Sequence, residues 1–378
     1  MIKNNHIKEV DNLRAVAIVM TLVAHLSFFT HEKNDWYAFT IQNVAQFWGG
    51  VDLFFVISGF VISKQLHSLL HVGRGWDSNV DGLKVFFVKR FFRIFPQAFF
   101  WASVVLFFSW YFNGVGKFGE FSKVAWHFFA AIFSVENIYL TFDVIPQLSI
   151  YWSLSIEEQF YIIFPLLLVF LSKKRVIAVL LVAAVFQLLL PRPVDQSKLI
   201  FMVRYDALIL GCFVYLWTLT GHYVKLREKL TGKMQLLFFV QIFLLFAIMA
   251  IPVHLKSLWC MVGILDIFCC LIVAISVLQL KAFEFRSVAG GVFDYLGKRS
   301  YAIYLCHIPI ALLLLSMDSL MGTSLAPQKI ISYQIFGVVF LIFLAAEMSY
   351  QIIEKPLREK GRVLSRRWSG KASLSATA

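Results

Sequence analysis

Residues 151–190 read YWSLSIEEQFYIIFPLLLVFLSKKRVIAVLLVAAVFQLLL, two apolar runs parted by the short stretch SKKR. Each run approaches the roughly 20 apolar residues that cross a bilayer. A separating turn this short and this cationic is the loop of a membrane hairpin. Working outward, apolar runs recur near 13–30, 44–63, 96–112, 156–172, 176–190, 203–220, 234–252, 258–279, 300–317 and 330–351. The chain of 378 residues is 60% hydrophobic and 15% charged, with a mean hydropathy of +0.75 and 40 Phe spread over its length. Soluble domains carry about 25% charged residues. The composition excludes a soluble enzyme and predicts an all-α, polytopic membrane helix bundle of about ten transmembrane helices.

An eleventh stretch, 124–142, is interrupted or flanked by Lys123, His127, Glu136, Asn137 and Asp143. If it does not cross, 27 Lys and Arg fall on one side of the membrane and 7 on the other, with Arg204 at a span boundary. If it does cross, the later basic loops change sides, against the positive-inside rule. Residues 124–142 are therefore expected to be re-entrant or to lie on the outer surface, with both termini cytoplasmic. The formal charge of +13 is then loop charge and calls for no nucleic-acid partner. Arg14 opens the first run and no small-x-small site follows it, so that run is read as a retained helix. Residues 1–357 form one membrane domain. The basic tail 358–378 is expected to be disordered or to lie on anionic lipid. The five cysteines sit in apolar runs without metal or disulfide spacing and read as small core residues.

Ionisable side chains inside such runs cost about 2.5–3.5 kcal/mol each at mid-membrane, so they mark candidate sites facing the bundle interior. Asp11, Arg14 and His25 share the first run. Eleven residues at 100° apiece return Arg14 and His25 to within about 20° of one face, with His25 about 16 Å further out. Asp52 lies in the second run beside Gly49, Gly50 and Gly59, small residues that permit close helix approach. Glu157 and Glu158 open the fourth run. An imidazole and three carboxylates at comparable depth suit a general base with an orienting acid, although adjacent Glu157 and Glu158 point about 100° apart. At the opposite face, Lys89, Arg90 and Arg93 head the third run in KRFFRIFP, a cluster suited to phosphates. Arg204, Asp206 and His307 are later polar marks, and Glu354, Lys355 and Pro356 close the tenth run.

Seven stretches in order, VDNLRAVAIVMTLVAH, GGVDLFFVISGFVIS, KRFFRIFP, YWSLSIEEQFYIIFPLLL, RYDALILG, LGKRSYAIYLCHIPI and YQIIEKPLR, resemble the acyltransferase 3 family of bacterial membrane O-acyltransferases, which modify O-antigen, capsule and other surface glycans. The family's Arg-x10-His pattern falls on Arg14 and His25, and its WSLS-x-EEQFY pattern on residues 152–161; Asn12 departs from the usual Gly. The resemblance implies an inner-membrane enzyme taking an acyl group, acetyl above all, from cytoplasmic acyl-CoA to a glycan hydroxyl outside. His25 would be a general base or a transient acyl carrier, the base being favoured, with Glu157, Glu158 and Asp52 beside it. Arg14, Lys89, Arg90 and Arg93 would bind acyl-CoA. Asp11, Gly49, Gly50, Ser58, Trp152, Ser153, Ser155, Tyr161, Arg204, Asp206, Tyr301 and His307 would support the site. No metal is expected. Some members add an extracytoplasmic hydrolase-like domain; this chain ends soon after its last span, so direct transfer or transfer to a separate partner is expected. The competing reading is a proton-coupled transporter or flippase, since intramembrane His, Asp and Glu also build proton relays.

Overall fold

A computed structural model describes residues 7–26, 39–40, 43–112, 117–192, 197–285, 287–321 and 327–374. Among these residues there is no strand. The helices run in the order α1 (Lys8–Ala24), α2 (Gly49–His67), α3 (Val80–Phe112), α4 (Phe121–Ile132), α5 (Glu136–Tyr139), α6 (Tyr151–Phe170), α7 (Lys173–Leu188) and α8 (Leu199–Met202). They continue with α9 (Asp206–Thr218), α10 (Gly221–Leu230), α11 (Met234–His254), α12 (Met261–Ser276), α13 (Ser287–Met321) and α14 (Pro327–Ser349). A π-helical turn over Tyr350–Glu354 leads into α15 (Lys355–Leu374). Among the described residues, 7 helical stretches are long and apolar enough to cross a membrane, α8–α9 counting as one and α14 running on into α15. The other three expected spans fall on α1, of 17 residues, and on α7 and α12, of 16 each. The chain is a multi-pass, all-α membrane protein.

Between α3 and α6 the eleventh stretch folds as a helical hairpin. Helix α4 has 12 residues, a rise of about 18 Å against a hydrocarbon core of about 30 Å. Ser134, with φ of 58°, turns the chain back into the four-residue α5.

Lipid tails are as apolar as leucine, so helices in a membrane gain little by burying apolar surface and are held by close backbone packing and polar contacts. Small residues decide where that packing occurs. A Cβ on Gly59 would overlap the Leu208 carbonyl, and one on Gly211 would overlap the Val56 carbonyl, so α2 and α9 meet backbone to backbone. Gly50 is nearly as tight, its missing Cβ 2.7 Å from the Ala17 carbonyl of α1. Gly49 is looser, facing the Leu265 side chain at 3.2 Å. The same device joins Gly297 of α13 to the Asp11 carbonyl of α1, and Gly263 of α12 to the Leu188 carbonyl at the end of α7.

The basic tail, expected from its polar composition to be disordered or lipid-bound, is helical through Leu374. From the π turn into this helix an inward stripe runs through Glu354, Leu357, Gly361 and Ser365, three or four residues apart, while Arg358, Lys360, Arg362, Arg366 and Arg367 are exposed. Gly361 lets this face close on α3, where an added Cβ would meet Phe92 at 2.5 Å. Composition carries no information about spacing, so a sparse stripe at helical intervals escapes it.

Replacing Gly211 by Ala should lower the thermal unfolding midpoint of the purified protein, at a cost of about 1–3 kcal/mol from overpacking. Gly221→Ala, where nothing lies within 4 Å of the added Cβ, should leave the midpoint unchanged.

Candidate active site

Helices α1, α2, α3, α6 and α13 enclose a cavity of about 100 Å³ whose polar lining is Arg14, Ser58, Arg90, Arg93, Ser153, Glu157, Tyr161, Ser300, Tyr301 and Tyr304. Arg14 comes from the first half of α1 and leans on Asp11 at 3.4 Å. Arg90, buried, donates to Gln65 Oε1 at 2.9 Å and lies over the Tyr161 ring, 5.1 Å from its centroid. Glu157 accepts from Ser58 at 2.6 Å and from the Tyr161 hydroxyl at 2.7 Å. The Tyr301 hydroxyl closes another side by donating to the Ile94 carbonyl at 2.9 Å. Three guanidiniums and one carboxylate thus line a small cavity, a setting for phosphates or another multivalent anion. Lys89, expected in the same cluster, does not line the cavity; it is half-buried on α3 and faces Arg362 of α15. Glu354, in the π turn, was not expected at the site, yet its buried carboxylate feels Arg93 and Arg14 and pairs with Arg358 at 3.6 Å.

At the other end of α1, His25 is the helix C-cap rather than a residue inside a longer span, and residues 27–38 lie outside the described ones. Its Nδ1 stands 3.0 Å from the Thr21 carbonyl and 3.3 Å from His307 Nε2, the rings 5.0 Å apart. His307 Nδ1 stands 2.6 Å from the Tyr304 carbonyl. Carbonyl oxygens only accept, which assigns the protons. His307 carries its proton on Nδ1 and offers a lone pair at Nε2. His25 carries its proton on Nδ1, between the Thr21 carbonyl and that lone pair, so its own lone pair falls on Nε2. The arrangement holds one tautomer of His25 and places an acceptor where an imidazolium would need it.

Tyr304 joins the two regions. Its hydroxyl lines the cavity, meets Ser153 Oγ at 2.6 Å and donates to the Ile150 carbonyl at 2.9 Å, while its own carbonyl receives His307. Sequence reasoning missed Tyr304. The available signal was its position three residues from both Tyr301 and His307, on one side of a helix.

The remaining candidates lie elsewhere. Asp52 is ion-paired with Arg204, inside a fully buried group in which Arg192 pairs with Asp206 and approaches Asp266 at 3.9 Å. Trp48 and Trp152 flank the Arg204 guanidinium at 5.1 and 6.0 Å from their centroids. Three carboxylates and two guanidiniums, 5% exposed or less, form an internal charge cluster that ties α2, α9 and α12 together. Arg192 and Asp266 were not anticipated, although Asp266 is the lone charge in the 258–279 run. Glu158 turns away from Glu157, as the 100° step requires, and accepts from Ser134. Neighbouring Gln159 donates to the Ser134 carbonyl at 2.7 Å and to Asn137 Oδ1 at 2.9 Å, and Ser155 Oγ accepts from the Glu136 amide at 3.2 Å. These three residues dock the α4–α5 hairpin on α6. Within the hairpin, His127 Nδ1 meets Glu136 at 2.7 Å; burial pushes the Glu136 carboxyl up to about 7, against the downward pull of that histidine.

A family model described as an acyltransferase domain matches residues 7–347. The peptidoglycan O-acetyltransferase OatA of Listeria monocytogenes is 28% identical over 94% of this chain and 56% of its own length. The O-acetyltransferase OatA of Staphylococcus aureus is 29% identical over 96% of this chain and 58% of its own. The chain therefore spans somewhat more than half the length of these relatives. No solved structure matches.

If Asp52 is needed to neutralise Arg204, Asp52→Leu should cost about 3–5 kcal/mol by leaving a buried charge unpaired. The double change Asp52→Leu with Arg204→Met should then restore most of the yield and unfolding temperature. A double variant as unstable as the single one would remove Asp52 from a purely structural role.

Proposed function

Because the chain belongs to the acyltransferase-domain family matched over residues 7–347, we propose that it is a membrane O-acyltransferase of the bacterial inner membrane. It moves an acyl group, acetyl in the first instance, from acyl-CoA on the cytoplasmic side to a hydroxyl of a cell-surface or lipid-linked glycan outside. The observation that carries this reading is the cavity with three arginines, joined by Tyr304 to a histidine pair whose hydrogen bonds select a base. The name of the Listeria relative makes peptidoglycan the first acceptor to test, with O-antigen or exopolysaccharide after it. The family match favours this reading over a proton-coupled transporter.

In the proposed reaction Arg14, Arg90 and Arg93 hold the phosphates of the donor, and Glu157, fixed by Ser58 and Tyr161, orients that cluster. The acyl thioester reaches toward His25, which lies about 16 Å along α1 from Arg14 at 1.5 Å per residue. His25 Nε2 takes the proton of the glycan hydroxyl as its oxygen attacks the thioester carbonyl. The carbon–sulfur bond then breaks, and the leaving thiolate receives the proton from His25, so ester and free thiol are the products. The Nδ1–H bond to the Thr21 carbonyl and His307 stabilises the imidazolium between the two transfers. An apolar bundle keeps water from the thioester. Both termini, by the positive-inside argument, are cytoplasmic.

His25→Gln keeps hydrogen-bonding capacity but cannot carry the proton, so transfer to purified peptidoglycan fragments, followed by mass spectrometry, should fall by roughly 10²–10⁴ with donor binding retained. Activity within a few-fold of the parent would exclude His25 as the base, and a trapped acyl-His25 adduct would replace the base by a covalent carrier. Arg90→Ala should act oppositely. It should weaken acyl-CoA binding by about tenfold or more, the loss of one charge-assisted bond of about 1.5–3 kcal/mol, and unchanged donor affinity would reduce the cluster to a membrane anchor.

A further inference from the structure

A second cavity, of about 90 Å³, shares no lining residue with the first and opens between α2, α6, α7 and α9 at the end of the bundle carrying the SKKR turn. Its interior is apolar, walled by Phe164, Leu168, Ile177, Leu180 and Leu216. At its mouth stand His67 and Lys173, both exposed, and no carboxylate is among its lining residues. Cations at that position oppose the electrostatics of the helix they stand on. Lys173, Lys174 and Arg175 occupy the first turn of α7, where the unpaired amides already make the helix end positive and acidic residues are favoured. The Ser172 side chain makes no capping bond there. One turn deeper than His67, Ser63 is among the residues that line the cavity. Ser63 is 6% exposed, and apart from the weakly bonding Cys212 thiol its hydroxyl has no hydrogen-bond partner among the described residues.

We infer that this crevice is a binding site for an anionic glycerophospholipid of the surrounding leaflet. The phosphate lies against Lys173, His67 and the amides at the start of α7, where a helix terminus and cations act together. One acyl chain fills the apolar interior. The four residues from His67 back to Ser63 rise about 6 Å, which puts Ser63 at the depth of the acyl-ester carbonyls just below a lipid phosphate. A free phosphate would satisfy the mouth but leave both the serine and the apolar trough empty. A zwitterionic lipid would fill the trough but bring a second cation to the mouth. The proposal does not depend on the chemistry assigned to the first cavity.

The test is native mass spectrometry of the full chain released from detergent after titration with phosphatidylglycerol, with phosphatidylcholine, or with phosphatidylglycerol plus excess inorganic phosphate. The parent protein should retain one phosphatidylglycerol about tenfold more strongly than phosphatidylcholine, the size expected of one charge-assisted phosphate bond. Lys173→Glu should abolish that preference, and Ile177→Trp, which fills the trough from a half-buried position, should weaken retention about tenfold. Lys225→Glu, on α10 and outside the cavity lining, serves as the charge control and should match the parent. Equal retention of the two lipids, displacement by inorganic phosphate, or parent-like retention in both Lys173→Glu and Ile177→Trp would each overturn the assignment. Should Lys173→Glu fail to elute as a monodisperse species, Ile177→Trp decides the outcome.

Discussion

The backbone contact of α2 with α9 constrains everything else. With Gly59 against the Leu208 carbonyl and Gly211 against the Val56 carbonyl, the two helices can rotate very little about their axes. In a medium where apolar burial between helices gains little, such a contact is among the few interactions able to set rotation. Helix α2 then has determined faces. One presents Asp52 to Arg204. Another presents Ser58 to Glu157 and helps enclose the arginine cavity. Gly50, packed near the Ala17 carbonyl, brings α1 alongside and with it Arg14.

Buried charge is handled in two ways in this bundle, and the contrast separates scaffold from site. In the Asp52, Arg192, Arg204, Asp206 and Asp266 group, each arginine faces a carboxylate and all five side chains are shut away. Such a group mainly specifies how helices fit together, because unpairing any member is costly. In the cavity, Arg14, Arg90 and Arg93 border open space beside Glu157, with Asp11 and Glu354 behind them. Guanidiniums that line a void rather than being shut away between carboxylates have donors to offer an anion. The histidine pair is a third case: neutral rings, ordered by backbone carbonyls, retain a definite lone pair without a buried ion.

The sequence by itself determined a good deal. Hydropathy summed along the chain located the ten apolar helices, and cation counts made 124–142 a non-crossing segment, in keeping with its short hairpin. The shared face of Arg14 and His25 and the divergence of Glu157 from Glu158 follow from helical geometry alone. Seven ordered motifs indicated the family whose model matches residues 7–347. The tertiary structure decided which polar groups meet. His25 finds His307 across 282 residues, Ser58 finds Glu157 across 99, Lys89 is turned from the cavity, and Glu158 is engaged by the α4–α5 hairpin. The helix of the tail was hidden for a related reason, since it rests on a sparse stripe closing over Phe92. Hydropathy and net charge add up locally along a chain, whereas a polar pairing depends on the relative rotation and depth of two helices, and those are set by small residues whose contacts lie far away in sequence.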